Sequence, residues 1–457
     1  MIAKKNIFNV FIVFLFFHLF VWTLIPSISN INLPLDTIEA LAWGSELEWG
    51  YNKHPPLSAF VVEFVHSIFG SQDWTYYFLS QIFIIITFIY VWKFSEEIFD
   101  KKIYSLISLF ILEGIYFYNF TTPEFNVNIC QLPFWALTIY YLWKGINNNK
   151  TLDWLLFGIF SALGFLTKYL FIYLLFTIFI YFLYNLKIYK KIINKYLFSI
   201  LISLLILIPH FNWLIKNDFI TILYGLNRTG ITDYNYIDHI LNPIIFVLKQ
   251  FVVLLPVFLM VFFLIKKIKI KINYKNKKTF FLIFINIVPL LLILLTSILS
   301  GAKIRTMWTT PFYLFVGVMI VDIYKNNILL NKLKKFNLAF LFFLILSPAL
   351  YLGISLTDDT KRTDYPGKEI ARLVQNKWDK NFSNEIKFVV GDEWSAGNLS
   401  YHLYSRPVWT SSLKNKATKI KEDQGVIYVG NSEILKKICP GVFGIINPVG
   451  YCMIGSK

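Results

Sequence analysis

Apolar blocks long enough to cross a lipid bilayer recur along most of this chain, and they restrict its fold more tightly than any other feature. The first, "IFNVFIVFLFFHLFVWTLIP" at 7–26, carries no acidic or basic residue except His18. About 20 apolar residues span the hydrocarbon core of a membrane. Further spans are expected near 74–92, 103–120, 126–143, 151–166, 169–186, 196–213, 243–265, 279–300, 308–324 and 336–356, eleven in all. A soluble domain of this length would need more surface charge than the 16% found here. The expected fold class is therefore a polytopic α-helical membrane protein. The first block is expected to remain on the protein: it is too long for a cleaved signal, lacks a small-residue cleavage site, and is followed by more spans.

The net charge of +17 would suggest nucleic acid in a soluble protein. Here the basic residues crowd into alternate gaps between spans, so no nucleic-acid partner is expected. One set of gaps holds Lys4 and Lys5, Lys93 to Lys102, Lys144 and Lys150, Lys187 to Lys195, "KKIKIKINYKNKK" and "KNNILLNKLKK", 22 Lys or Arg in total. The other set, tail excluded, holds Lys53, Lys168, Lys216, Arg228, Lys303 and Arg305, six in total. The positive-inside rule assigns the first set to the cytoplasm. The N-terminus is then cytoplasmic, and an odd span count leaves the tail outside, as in a multi-pass protein of the bacterial inner membrane.

The cytoplasmic gaps read as plain lysine anchors. The outer gaps mix acids, Arg, aromatics, Pro and Gly, which points to one chemical site on the outer face. "LDTIEALAWGSELEWGYNKHPPL" at 35–57 is the richest. Beyond residue 356 the composition turns polar and short helix and strand patterns alternate: "YPGKEIARLVQNKWDKNF" reads as helix, "IKFVVGD" as strand, "EWSAGNLSYHLYS" as helix, "GVIYVG" as strand, "SEILKKI" as helix, and "GVFGIINPVGYCMIG" as a terminal strand pair. The division expected is 1–356, a membrane domain, and 357–457, a small extracytoplasmic α/β domain. Cys439 and Cys452 bracket the Pro- and Gly-rich turn of that last pair, in a compartment that permits disulfides, and are expected to bond. Cys130 stands alone, and no metal-ligand spacing of cysteines is present.

The ordered set of outer-face motifs resembles bacterial membrane glycosyltransferases of the GT-C class, in the group of the lipid A aminoarabinose transferase and protein O-mannosyltransferase-like enzymes. The motifs are the 35–57 loop, "TTPEFN" at 121–126, "SALGFLTKYLFIY" at 161–173, "IPHFNWLIKND" with the following "NR", "KIRTMWTTPFY" at 303–313 and "VVGDEWSAGNLSYHLYSRPVW" at 389–409. The resemblance implies transfer of a sugar from a polyprenyl-phosphate donor to an acceptor outside the membrane, either lipid A or another envelope glycolipid, or a protein hydroxyl. It places a catalytic or acceptor-orienting acid at Asp36 and a phosphate-contacting group at His54. Where relatives carry two adjacent acids, Thr37 follows Asp36 here, and Glu39 is the alternative second carboxylate.

Read physically, Asp36 and Glu39 share a face if the segment is helical, and an N-cap with an acid three residues on also describes a capping box. Glu124 is either a second carboxylate, orienting the acceptor or holding a divalent cation, or an acid at the start of the next helix. The ligand set for a metal is incomplete and the metal is left open. Lys53, His54, Lys168, Arg228, Lys303 and Arg305 are the candidate donor-phosphate ligands, on a face otherwise poor in positive charge. Trp43, Trp49 and Trp308 are candidates for stacking on sugar or lipid, with an interfacial aromatic belt as the alternative. Against the enzyme stands a transporter or flippase for a lipid-linked sugar. Polar groups collected at one face, rather than within the spans, favour the enzyme.

Overall fold

The computed structural model describes residues 4–230, 235–266, 272–330, 333–411, 424–446 and 449–457. Lys267, Lys269, Lys271 and Lys332 of the lysine-rich gaps lie outside the described residues. The described chain is mainly helical as far as Thr357 and then forms a small mixed domain.

Six helical stretches are long and apolar enough to cross a membrane: Asn6–Ser29, Asp73–Ile98, Leu186–Lys216, Asp238–Leu264, Lys277–Ser300 and Lys334–Thr357. A seventh arises if Thr306–Tyr313 and Val316–Tyr324, which meet at 52°, form one broken span. Their outer faces carry Phe16, Leu201, Val252 and Ile345, all exposed. Such faces suit lipid, not water. The other four expected spans are helical but short, broken or more polar. Thr151–Thr167 and Tyr169–Tyr184 are short, and Val127–Asn148 is diluted by buried Asn128 and Gln131. The segment read as 103–120 is Lys102–Phe110 followed by two tight 3₁₀ turns, Ile111–Gly114 and Tyr116–Tyr118. Among the described residues, six or seven of the eleven expected spans meet the length and apolarity of a regular crossing.

That broken segment leaves backbone carbonyls without helical partners, and buried polar side chains supply them. His18 bonds the Tyr118 carbonyl at 3.0 Å, Asn119 donates to the Glu113 carbonyl at 2.9 Å, and Ser80 and Gln81 donate to the Thr122 carbonyl. His18 and Glu113 also approach to 3.6 Å, both fully buried. Unpaired backbone in lipid would cost several kcal/mol per group, so these residues fix the course of the chain into Pro123 and Glu124.

The terminal domain is a five-stranded sheet. The strands are β1 (Phe388–Val390), β2 (Val408–Thr410), β3 (Val426–Gly430), β4 (Val442–Ile446) and β5 (Val449–Ile454), in the order β2-β1-β3-β5-β4. β1 runs parallel to both β2 and β3, and β5 is antiparallel to β3 and β4. The helices Gly367–Asn381, Ser395–His402 and Ser432–Ile438 and the terminal pair fall where the periodicity predicts them, whereas β2, three residues long, carries no pattern to read. A disulfide joins Cys439 to Cys452, with Cα atoms 5.6 Å apart.

The first loop belongs to both parts. Ala42, Trp43, Tyr51 and Ala59 pack in one core with Val374, Trp378, Val389, Leu399, Ile427 and Met453. A Cβ on Gly397 would lie 3.1 Å from the Ala42 Cβ and 3.2 Å from the Ile38 Cγ2, so the Ser395–His402 helix packs tightly on the Leu35–Glu46 helix with no room for a larger side chain there. Arg406 donates to the Leu41 carbonyl and the Glu63 carboxylate, both at 2.6 Å, and the Trp409 amide donates to the Ser45 hydroxyl at 2.8 Å. The helix bearing Asp36 and Glu39 is thus held from above by the terminal domain.

Candidate active site

A cavity of about 660 Å³ opens beneath that helix. Asp36, Glu39, Lys53, His54, Lys168, Arg228, Arg305 and Trp308 line it, so eight of the twelve catalytic, phosphate-binding and stacking candidates converge. A second cavity of about 500 Å³ is lined by Glu124, Phe120, Tyr351, Ile354, Lys361 and Arg362. Leu35, Asp36, Met307 and Arg362 line both, which makes Asp36 part of the shared wall.

The helix Leu35–Glu46 follows Pro34, and no side chain of its own caps it. Glu124 does so from another segment: its Oε1 accepts the Asp36 amide at 3.0 Å. Asp36 is therefore not a capping residue, and its carboxylate remains available to the cavity. Burial raises its pKa, opposed by Lys168, Lys53, Arg228 and Arg362. Burial, with the Asp36 charge beside it, pushes Glu124 up to about 8. Nor does Glu124 cap the following helix: Asn126 accepts the Asn128 and Ile129 amides at 2.9 and 3.2 Å.

Glu39 and Lys53 form an ion pair at 2.7 Å, and Lys53 also reaches Glu393 of the terminal domain at 3.3 Å. Burial alone would lower the Lys53 pKa; Glu39 and Glu393 outweigh it and raise it. This cation is committed to carboxylates. His54 is held down to about 3 by burial and by Lys168, Lys53 and Arg228, so it is neutral and can offer a phosphate a hydrogen bond but no charge. Lys168 is buried, donates to Asn128 Oδ1 at 2.6 Å and stands 5.6 Å over the Trp308 ring. Burial lowers it to about 7, with Asp36 opposing.

Three candidates fall elsewhere. Trp43 stacks on Tyr51 at 5.4 Å, only 2% exposed, as part of the terminal-domain core. Trp49 is exposed and edge-on to Phe60. Lys303 is exposed outside the cavity, where its backbone N–H ties the loop to the Thr229 carbonyl at 3.0 Å. Sequence reasoning missed Tyr173, Tyr224, Arg362, Asp392, Glu393 and Trp394, all in the cavity lining. Arg362 carried a signal, a basic residue on the outer side, but it lies in the tail that the loop count set aside. Among the described residues no group of three or more His, Cys, Asp or Glu is placed to hold a metal ion, and Asp36 with Glu124 alone does not make a cation site.

Among the described residues, a helical part that runs as far as Thr357, a cavity at one end of it and a small α/β domain docked over that cavity make up a fold of the GT-C membrane glycosyltransferase type. Residues 53–213 match the family described as Dolichyl-phosphate-mannose-protein mannosyltransferase. The fold is similar to that of ArnT from Cupriavidus metallidurans bound to undecaprenyl phosphate, with a TM-score of 0.66, 11% identity and 98% of each chain covered. The apo structure of the same protein superposes at a TM-score of 0.63, with 10% identity over 97% of this chain and 98% of that one. No curated protein sequence matches. The resemblance read from the motifs therefore holds, through one segment of sequence and the whole of the fold.

Proposed function

We infer that this multi-pass membrane protein is a glycosyltransferase that takes its sugar from a polyprenyl-phosphate donor. The observation that carries the reading is Asp36: an uncommitted carboxylate on the wall between two cavities, one of them lined by Lys168, Arg228 and Arg305. The donor phosphate binds those cations. The lipid tail leaves along an apolar cleft of about 370 Å³ lined by Phe165, Leu175 and Phe176, which meets the main cavity at Ile172. The acceptor enters the second cavity. Asp36 takes the proton from the acceptor oxygen as that oxygen attacks the anomeric carbon. The bond from that carbon to the phosphate oxygen breaks, and the cations stabilise the charge gathering on the departing polyprenyl phosphate. His54 contributes a neutral hydrogen bond. Glu39 and Lys53 hold the loop in place.

The second cavity sets Phe120, Tyr351 and Ile354 beside Lys361 and Arg362, a lining suited to an amphipathic, anionic lipid acceptor such as lipid A or another envelope glycolipid. A protein hydroxyl is the second reading, supported by the mannosyltransferase family match over 53–213. The working division is 1–356 as the membrane domain and 357–457 as the periplasmic domain, in the bacterial inner membrane with the N-terminus in the cytoplasm.

Mass spectrometry of lipid A and of glycoproteins from a deletion strain tests the reading. Complementation by the wild-type chain should restore one sugar-bearing species. Asp36→Asn, which keeps the shape and removes the charge, should accumulate normally and lower transfer by at least about 100-fold. Near-wild-type product from that variant would remove Asp36 from the chemistry.

A further inference from the structure

The main cavity has two chemically unlike ends. Asp36 lies among Lys168, Lys53, Arg228 and Arg362, whereas Glu39, one helical turn on, has Lys53 as its cation and the carboxylates Asp36 and Glu393 beside it. The first end is cationic and suits a phosphate. The second is a set of hydrogen-bond acceptors beside an indole, and the terminal domain builds it from the turn Asp392–Trp394. We propose that this turn is the sugar-recognition wall of the enzyme, in which Glu393 accepts hydrogen bonds from ring hydroxyls of the donor and Trp394 packs against one face of the ring. The proposal rests on the donor reading above and adds to it the surface that distinguishes one sugar from another.

Three features of the turn support this role. Its backbone is fixed: Asp392 Oδ1 accepts the Trp394 amide at 2.8 Å and the Ser395 amide at 2.6 Å, so the side chains that follow are aimed before any ligand arrives. Glu393 is pre-positioned and still has capacity. Its Oε1 receives Lys53 at 3.3 Å and Asn52 at 3.2 Å, while its other oxygen has no hydrogen-bond partner among the described residues. Lys53 is shared with Glu39, so one cation serves two carboxylates and strong acceptors remain for a polyhydroxylated ligand. Trp394, half-buried, lines the cavity and packs against the Tyr365 ring at 5.3 Å and 57°. A rigid aromatic surface with a few fixed polar groups is the usual composition of a specific small-molecule subsite. The placement also orders the donor. With phosphate at the cationic end and the sugar toward Glu393, the anomeric carbon, bonded to the phosphate oxygen, stays beside Asp36 at that end.

The test measures binding to the full chain in nanodiscs with two kinds of probe: undecaprenyl phosphate, and its phosphate esters of mannose, glucose and aminoarabinose. The wild type should bind at least one sugar ester more tightly than bare undecaprenyl phosphate. Glu393→Gln and Trp394→Ala should each weaken that ester by about tenfold and leave bare undecaprenyl phosphate within about twofold. Trp394→Phe should recover most of the loss, which a merely structural defect would not show. Equal weakening of both probes would mean that the turn only holds the domains together, and would overturn the proposal, as would a wild type that binds no ester better than the bare lipid. Failure of the wild type to bind undecaprenyl phosphate at all would instead overturn the donor reading on which the proposal stands.

Discussion

A buried ammonium that titrates near neutrality should write its pKa into the pH dependence of the donor reaction. Lys168 is lowered to about 7 by burial, against the opposing charge of Asp36. It is cationic below that value and neutral above it, while the phosphodiester of a polyprenyl-phosphate sugar keeps one negative charge throughout. Attraction is therefore present on the acid side and lost as pH rises through about 7. Donor kcat/KM should fall across that interval, and Lys168→Arg should flatten the fall because a guanidinium stays charged. A steady-state pH profile of both proteins checks this. Glu124 behaves in the opposite sense: raised to about 8, it is mostly neutral at pH 7, and its oxygen serves the Asp36 amide. Glu124→Gln should therefore keep activity within about threefold, while Glu124→Ala should cost about 1 kcal/mol of helix capping and lower kcat more than KM. The acids of the site were legible because they stand out in an apolar chain. Their division of labour was not. Lys53 looked like a free cation beside two prolines, and nothing local shows that Glu393, 340 residues away, claims it.

At the scale of elements, the position of the Leu35–Glu46 helix decides whether the carboxylates meet their cavity. The terminal domain clamps it through Gly397 and Arg406. Gly397→Leu should force the two helices apart; limited proteolysis of the purified protein should then cut between 357 and 367, and transfer should fall by an order of magnitude or more. Arg406→Ala removes three hydrogen bonds, to Ser400, Leu41 and Glu63, and leaves Glu63 unpaired in a mostly covered site, a loss of about 2 kcal/mol readable as a lowered Tm in detergent. The amphipathic period of "GKEIARLVQNKWDKN" and the β-rich run "VIYVG" are strong local signals, and both elements form where the pattern predicts. The 103–120 segment shows where such signals end. Its hydropathy is that of a span, yet its last turns unwind, because His18, Ser80, Gln81 and Asn119 offer the carbonyls partners that only the assembled bundle provides.

At the scale of the whole molecule, the alternation of charge along the sequence reappears as two opposite ends of one bundle. At one end Lys144 meets Glu97 at 3.0 Å, Lys195 reaches the Asn149 carbonyl, Lys277 the Asn147 side chain and Lys278 the Ile98 carbonyl, so loops of the lysine-rich set touch one another. At the other end the loops bearing Asp36, Glu124, Lys168, Arg228 and Arg305 surround the two cavities beneath the terminal domain. The grouping needs no agreed number of crossings, which is why it was legible in the sequence. Short helices such as Leu57–Phe69 and Tyr169–Tyr184 blur the count without changing which loops share an end. The positive-inside rule predicts that the cavities face outward. A reporter active only in the periplasm should work when fused after residue 457 and fail when inserted in the 266–278 loop; the reverse pattern would invert the orientation. The cysteines give an independent reading on the unfused protein. Cys439 and Cys452 are bonded in the structure, and a bond of that kind persists where the compartment is oxidising. In intact cells, a thiol reagent applied without reductant should leave both unlabelled, and after mild reduction a membrane-impermeant reagent should label the partly exposed Cys439. Buried Cys130 should stay unlabelled in both conditions. Labelling of Cys439 before reduction would show a free thiol and count against the bridge, whereas its protection from the impermeant reagent after reduction would place the tail on the cytoplasmic side and move the proposed chemistry to the wrong face of the membrane.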